Sequence, residues 1–87
     1  MVEAFENILR KIVVPAFDNI VDVQVTQMGL SDIFLVRYYV KEWGFSGPEA
    51  HEITTETWSM FQMLGADKDG DVIIEYSKIS EWTYDNS

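Results

Sequence analysis

The chain begins with apolar residues at helical spacing. Between residues 2 and 21 they recur every three or four positions, which places them on one face of a helix. The members are Phe5, Ile8, Leu9, Ile12, Val13, Ala16, Phe17, Ile20 and Val21. Pro15 interrupts this pattern and removes one intrahelical hydrogen bond, so we expect a kink or break near residues 11–15. The segment is therefore predicted to be an amphipathic helix that packs on the core.

Short strands and further helices follow in the pattern. The expected elements after the first helix are a strand over 22–28, helices over 33–43 and 49–64, a strand over 72–76 and a short helix over 78–84. Gly29 ends the first strand, and Ser31 is a suitable N-cap for the helix that stops at Gly44. Pro48 suits the first turn of the next helix. The order helix, strand, helix thus occurs twice.

An acidic run precedes the second predicted strand. Asp67, Asp69 and Asp71 alternate along the chain, so a backbone that curls round a cation would present all three carboxylates to it. The backbone carbonyl of Ile73 and the side chain of Glu75, through water, would complete such a site. The sequence therefore predicts a candidate calcium or magnesium site.

In this register residues 67–78 resemble the twelve-residue loop of an EF-hand. Ile74 falls at the eighth position, whose side chain enters the core in that family. Two residues depart from the family pattern: Val72 stands where the family has glycine, and Lys78 stands where it has a bidentate glutamate. A β-branched residue adopts a positive φ at a cost, and an ammonium cannot coordinate a cation. The resemblance therefore implies weak calcium binding at most.

A wider part of the chain resembles a hand pair of the sarcoplasmic calcium-binding protein and calerythrin group. The resemblance lies in residues 33–45 and in the end of the following helix, residues 61–67. The resemblance implies a mainly α fold of paired EF-hand-like units joined by a short two-stranded antiparallel ribbon. A degenerate hand would occupy about 3–44 and a second hand about 47–84, within a single domain of residues 1–87. The first loop carries Gln24 and Thr26, which are weak ligands, and is expected to hold no metal.

The alternation of Val21, Val23 and Val25 leaves a second fold class open. In this alternative the chain is an α+β domain whose two strands form a true small sheet, and residues 67–71 form an ordinary turn. Such strands would extend over about five residues each, which is longer than an EF-hand ribbon uses.

Composition limits the partners. The formal net charge of -9 disfavours nucleic acid and anionic membranes, since both would repel the chain. There is no cysteine, which excludes disulfides and thiolate metal sites. No apolar run approaches the roughly 20 residues that span a bilayer. The N-terminus lacks the character of a signal peptide, so we expect a cytoplasmic protein.

Aromatic and methionine side chains are candidates for a partner groove, because methionine adapts to the shape of a bound helix. The candidate residues are Trp43, Trp58, Phe61, Met63, Trp82 and Tyr84. The expected partner is a protein, in particular a basic or amphipathic helix. The alternative use of the same large side chains is plain core packing.

No set of catalytic residue types converges in this sequence. His51 is the sole histidine, and Glu52 and Glu56 share a helix face as surface carboxylates commonly do. We therefore expect an EF-hand-like interaction module with at most weak calcium binding, and no enzyme. The alternative function is an acidic inhibitor or immunity-type protein, which would bind a basic partner or mimic nucleic acid without any metal.

Overall fold

Two helical segments and a three-stranded mixed sheet make up the part of the chain that the computed structural model describes, which is residues 2–42, 46–65 and 69–79. In chain order the elements are α1 (Val2–Ile8), a π-helical turn (Leu9–Val13), a 3-10 turn (Val14–Ala16), β1 (Ile20–Gln27), β2 (Ile33–Val40), α2 (Gly47–Met63) and β3 (Asp71–Lys78). We call residues 2–16 the N-terminal helix.

The expected irregularity of the N-terminal helix is confirmed. Its regular α-helical part ends at Ile8, and a π-helical turn precedes the 3-10 turn that contains Pro15. Proline lacks an N–H and its ring crowds the carbonyl four residues earlier, so regular α-helical bonding cannot continue through it. The N–H of Val14 instead bonds to the carbonyl of Leu9, five residues back.

β2 is the central strand, with β1 on one side and β3 on the other. β1 and β2 form an antiparallel hairpin, and β2 pairs with β3 in parallel through the crossover that contains α2. Gly29, in the hairpin loop, has a positive φ of 66°. Ser31, expected as a helix N-cap, instead donates its hydroxyl hydrogen to the carbonyl of Met28 within this loop.

The predicted helix over residues 33–43 is wrong, because residues 33–40 form β2. Six of the eight residues of this segment are β-branched or aromatic, and such residues favour strands. Tyr38 and Tyr39 are consecutive and both buried, at 0% and 5% exposure. Because successive side chains of a strand point to opposite faces, burial of both is typical of a central strand.

The paired EF-hand fold is therefore wrong as well. Its two-stranded antiparallel ribbon would join β1 to β3, but β2 lies between them and β3 runs parallel to it. The structure has the α+β class, with a third strand that the two-stranded alternative lacks. Lys78, expected to begin the final helix, ends β3, and residues 80–84 of that helix lie outside the described residues.

Both helices pack on the same face of the sheet. The core joins the N-terminal helix, the sheet and α2 through residues that include Phe5, Leu9, Val36, Tyr38, Ile53 and Phe61. The predicted helix over 49–64 is confirmed as α2, which begins with Pro48 in its first turn. The hydroxyl oxygen of Ser46 accepts a hydrogen bond from the N–H of Glu49, as an N-cap does.

The outer edge of β1 is covered by side chains of the N-terminal helix. Glu6 accepts a hydrogen bond from the N–H of Val25 at 2.9 Å, and Arg10 donates to the carbonyl of Val23 at 3.1 Å. Unpaired backbone groups on an edge strand invite pairing with another chain. These contacts therefore satisfy part of that edge within the molecule.

Candidate functional site

The predicted metal ligands do not form a loop in the described structure. Asp71, Ile73 and Glu75 lie on β3, where alternate side chains share a face about 6–7 Å apart. The carboxylate of Asp71 accepts a hydrogen bond from the N–H of Val72, and Glu75 forms an ion pair with Arg37. Val72 lies in the strand with a negative φ, so it carries none of the strain expected from the EF-hand register.

The two remaining predicted metal ligands are Asp67 and Asp69. Asp69 is exposed, and Asp67 lies outside the described residues. Within residues 2–42, 46–65 and 69–79, no three histidine or carboxylate side chains are grouped as a metal site would require. Calcium binding by this stretch stays a prediction.

The predicted partner-groove residues divide between core and surface. Phe61 is 2% exposed and packs its ring against those of Phe5 and Phe34, with centroids 5.3 and 5.6 Å apart. Trp58 is half-buried, edge-on to Phe61 at 5.7 Å. Met63 is 70% exposed. Trp43, Trp82 and Tyr84 lie outside the described residues.

Met63 belongs to a stripe along one face of α2. The stripe consists of Glu49, Glu52, Glu56, Met60 and Met63, which are spaced at i, i+3, i+7, i+11 and i+14. At 100° per residue these five positions fall within an arc of about 80°. The first half of the stripe is therefore acidic, and the second half is apolar.

The N-terminal helix presents a matching apolar stripe. Ala4, Ile8, Ile12 and Ala16 recur every fourth residue and line cavities that α2 lines from the other side. Ile12, in the middle of the stripe, is 46% exposed. The two stripes thus form the walls of a surface groove, which we call the interhelical groove.

Three adjoining cavities follow the interhelical groove from one end to the other. The first contains Phe17, Asp18, Glu49 and Glu52, and it shares Phe17 and Glu52 with the second. Ile12 joins the second cavity to the third. We call the part of the groove beside residues 49–56 and Asp18 the acidic end.

The opposite part of the groove has different chemistry. Its walls are Ile8, Ile12, Met60, Met63 and Leu64, and the charged residue that lines it is Lys11. We call this part the apolar end. The groove therefore changes from negative and polar to apolar along the axis of α2.

No ion pair among the described residues reaches the carboxylates of the acidic end, whose lining also includes His51. The ion pairs among the described residues join Arg10 to Glu6 and Asp22, Arg37 to Glu75, and Lys78 to Glu42. None of these pairs includes a carboxylate of the acidic end. Because Glu49, Glu52 and Glu56 are three and four residues apart on one helix, they also repel one another.

Two tyrosines of the sheet lie beneath α2 near the acidic end. Burial raises the pKa of Tyr76 on β3, the hydroxyl of Thr54 opposes this effect, and the negative charge of Glu49 adds to it. Burial also raises the pKa of Tyr38, whose hydroxyl lies 2.6 Å from that of Thr57. The rings of these two tyrosines stack beneath α2, with centroids 6.1 Å apart.

The sequence indicated some residues of one wall but did not combine them into this groove. The helical spacing placed Glu52 and Glu56 as a pair on one helix face, and Met63 was predicted as a groove residue. Extending the same spacing to Glu49 and Met60 would have given the full stripe on α2. The opposing wall depends on how the two helices pack, which the local pattern does not contain.

The described helices include none that has the length and apolar character required to cross a bilayer. No protein-family model matches this chain, and no curated protein or solved structure is significantly similar to it.

Proposed function

We propose that this protein is an interaction module that binds a positively charged protein partner in the interhelical groove. The observation that carries the proposal is the acidic end, whose four carboxylates form no ion pair among the described residues. These carboxylates adjoin the apolar side chains of Ile12, Ala16 and Phe17, which we call the apolar floor. A partner that supplies both cations and apolar side chains would complement this surface.

Repulsion within the stripe gives a physical reason for such a partner. Each like-charge pair at i, i+3 or i+4 costs a helix about 0.2–0.5 kcal/mol. A cation from a partner would relieve this repulsion at Glu52 and Glu56. Exposed ion pairs contribute only about 0.2–1 kcal/mol each, so the apolar floor must supply much of the affinity, while the charges favour rapid association and select the partner.

The overall charge argues against other occupants. A second copy of the chain would bring another net charge of -9 to the acidic end, and nucleic acid would repel it. An inhibitor that acts by charge mimicry would use the same carboxylates. The apolar floor around Ile12 and Phe17 instead favours a partner with a hydrophobic face.

A titration with model peptides tests the proposal. The probe is an amphipathic helical peptide of about 16 residues made from lysine and leucine, and the control peptide replaces lysine with glutamate. Two-dimensional amide NMR spectra of the protein would be recorded at each peptide concentration. We expect the lysine peptide to shift signals of groove residues and the glutamate peptide to leave them unchanged.

A pair of variants with equal charge change sharpens this test. Glu52→Gln/Glu56→Gln removes two charges from the acidic end, and Glu3→Gln/Asp32→Asn removes two exposed charges elsewhere. Losing two surface ion pairs should weaken binding of the lysine peptide about five- to tenfold in the first variant. The second variant should bind nearly as wild type. Equal weakening in both would mean that net charge alone attracts the peptide, and would contradict a defined site.

A further inference from the structure

The two ends of the interhelical groove differ in chemistry, and a partner must match both. We infer that the partner segment is a single amphipathic helix with its basic residues clustered in one half and its apolar residues in the other, docked with the basic half at the acidic end. This inference rests on the proposed function and specifies the partner and its orientation.

The walls of the groove favour a helix over an extended peptide. Along most of the groove both walls are helical, and their backbone N–H and C=O groups are largely bonded within the helix; at the acidic end residues 17–19 replace the first helical wall. A docked extended peptide would find few backbone partners there, whereas a helix satisfies its own backbone groups. α2 has 17 residues and is about 25 Å long at 1.5 Å per residue, so a partner helix of about four turns would occupy the whole groove.

The acidic end sets the position of the partner's cations. Glu49, Glu52 and Glu56 extend over about 10 Å of α2, or two turns. Lysine or arginine residues at helical spacing over two turns of the partner would lie opposite these carboxylates. Asp18, across the groove, would meet the same cations from the other side.

The apolar end sets the other half of the partner. Met63 is 70% exposed, whereas Met60 beside it is 8% exposed and packs largely in the core, and methionine side chains adapt to differently shaped apolar surfaces. Lys11 lines this end and would repel a cation placed there. Leucine, isoleucine or phenylalanine at helical spacing in the partner would pack against Ile8 and Ile12.

Two peptides of equal composition test the inference. In the segregated peptide the lysines occupy one half of a helix face and the leucines the other half, and in the mixed peptide they alternate along the same face. We expect the segregated peptide to bind about tenfold more tightly. Circular dichroism should show helix formation on binding. Equal affinities, or binding without helix formation, would overturn the inference.

Nitroxide labels on the segregated peptide test the orientation. A label at the leucine end should broaden the methyl signals of Met60 and Met63, and one at the lysine end should broaden the amide signals of Glu49 and Glu52. The reverse result, or equal broadening at both ends, would overturn the stated orientation while leaving groove binding intact. If neither peptide changes any groove signal, the proposed function itself fails. Concentration-dependent changes at the groove in protein alone would instead identify a second copy as the occupant, and would also overturn the inference.

Discussion

The two faces of α2 differ in how completely their side chains are satisfied. On the core face Ile53, Thr57 and Phe61 are 1%, 0% and 2% exposed. On the groove face three carboxylates lie beside one another with no cation from the described residues, and Met63 is 70% exposed. One helix therefore carries a face that specifies the fold and a face on which Glu52 and Glu56, four residues apart, repel each other.

A hydrogen-bond chain completes the core face. The hydroxyl of Thr57 donates to the carbonyl of Ile53 at 2.7 Å, so its single hydrogen is in use. The hydroxyl of Tyr38, 2.6 Å away, must then donate to the Thr57 oxygen. This chain connects β2 to α2 through the core, whereas no ion pair among the described residues stabilises the carboxylates of the groove face.

The largest contrast between the faces should come from truncating one residue on each. Phe61→Ala removes a ring that contacts two other rings in the core, and we expect the free energy of unfolding to fall by about 3–5 kcal/mol. Met63→Ala, on the same helix, should change it by less than about 0.5 kcal/mol because the side chain is exposed. Urea unfolding measures both. Similar losses in the two variants would contradict the division of α2 into two faces.

A smaller effect is expected from breaking the buried hydrogen-bond chain. Thr57→Val keeps the shape of the side chain but leaves the Tyr38 hydroxyl buried without an acceptor, which should cost about 1–3 kcal/mol. Tyr38→Phe in the same background removes that unsatisfied group and should restore much of the loss. A double variant that is no more stable than Thr57→Val would show that the Tyr38 hydroxyl does not depend on Thr57.

Alkaline pH should also lower the free energy of unfolding, because it favours ionisation of the buried Tyr38 hydroxyl. Burial raises the pKa of Tyr38 above its ordinary value, an effect that outweighs the opposing hydrogen bond with Thr57. The folded state thus favours the protonated form, and this stabilisation is complete below the unfolded pKa of about 10 and is lost as pH rises beyond it. The free energy of unfolding should therefore fall above about pH 10. Tyr38→Phe should reduce the slope, and a slope unchanged in that variant would contradict the account.

Local pattern was sufficient for some elements of this fold and misleading for another. The alternation at residues 22–28 and the period of residues 49–64 gave β1 and α2, because each has one buried face and one exposed face. β2 is fully buried on one face and partly buried on the other, and both faces carry apolar or aromatic side chains, so its apolar run has no informative period. Its composition of β-branched and aromatic residues was the usable signal.

The sheet order and the candidate site required the three-dimensional arrangement. The local sequence of β3 does not specify that it pairs in parallel with β2 and not with β1. The acidic run before β3 instead favoured a calcium-loop interpretation. The interhelical groove combines residues of the N-terminal helix with residues more than thirty positions later. The stripe on α2 was readable from sequence, but its role depends on what lies opposite.

The smallest expected effect on stability also tests the central claim most directly. In Glu52→Gln/Glu56→Gln we expect the free energy of unfolding to rise by a few tenths of a kcal/mol, because like-charge repulsion is removed. The affinity for the segregated peptide should fall about five- to tenfold in the same protein. A higher free energy of unfolding together with a lower affinity would support the claim that Glu52 and Glu56 serve binding. An unchanged affinity, or a loss of stability together with affinity, would contradict it.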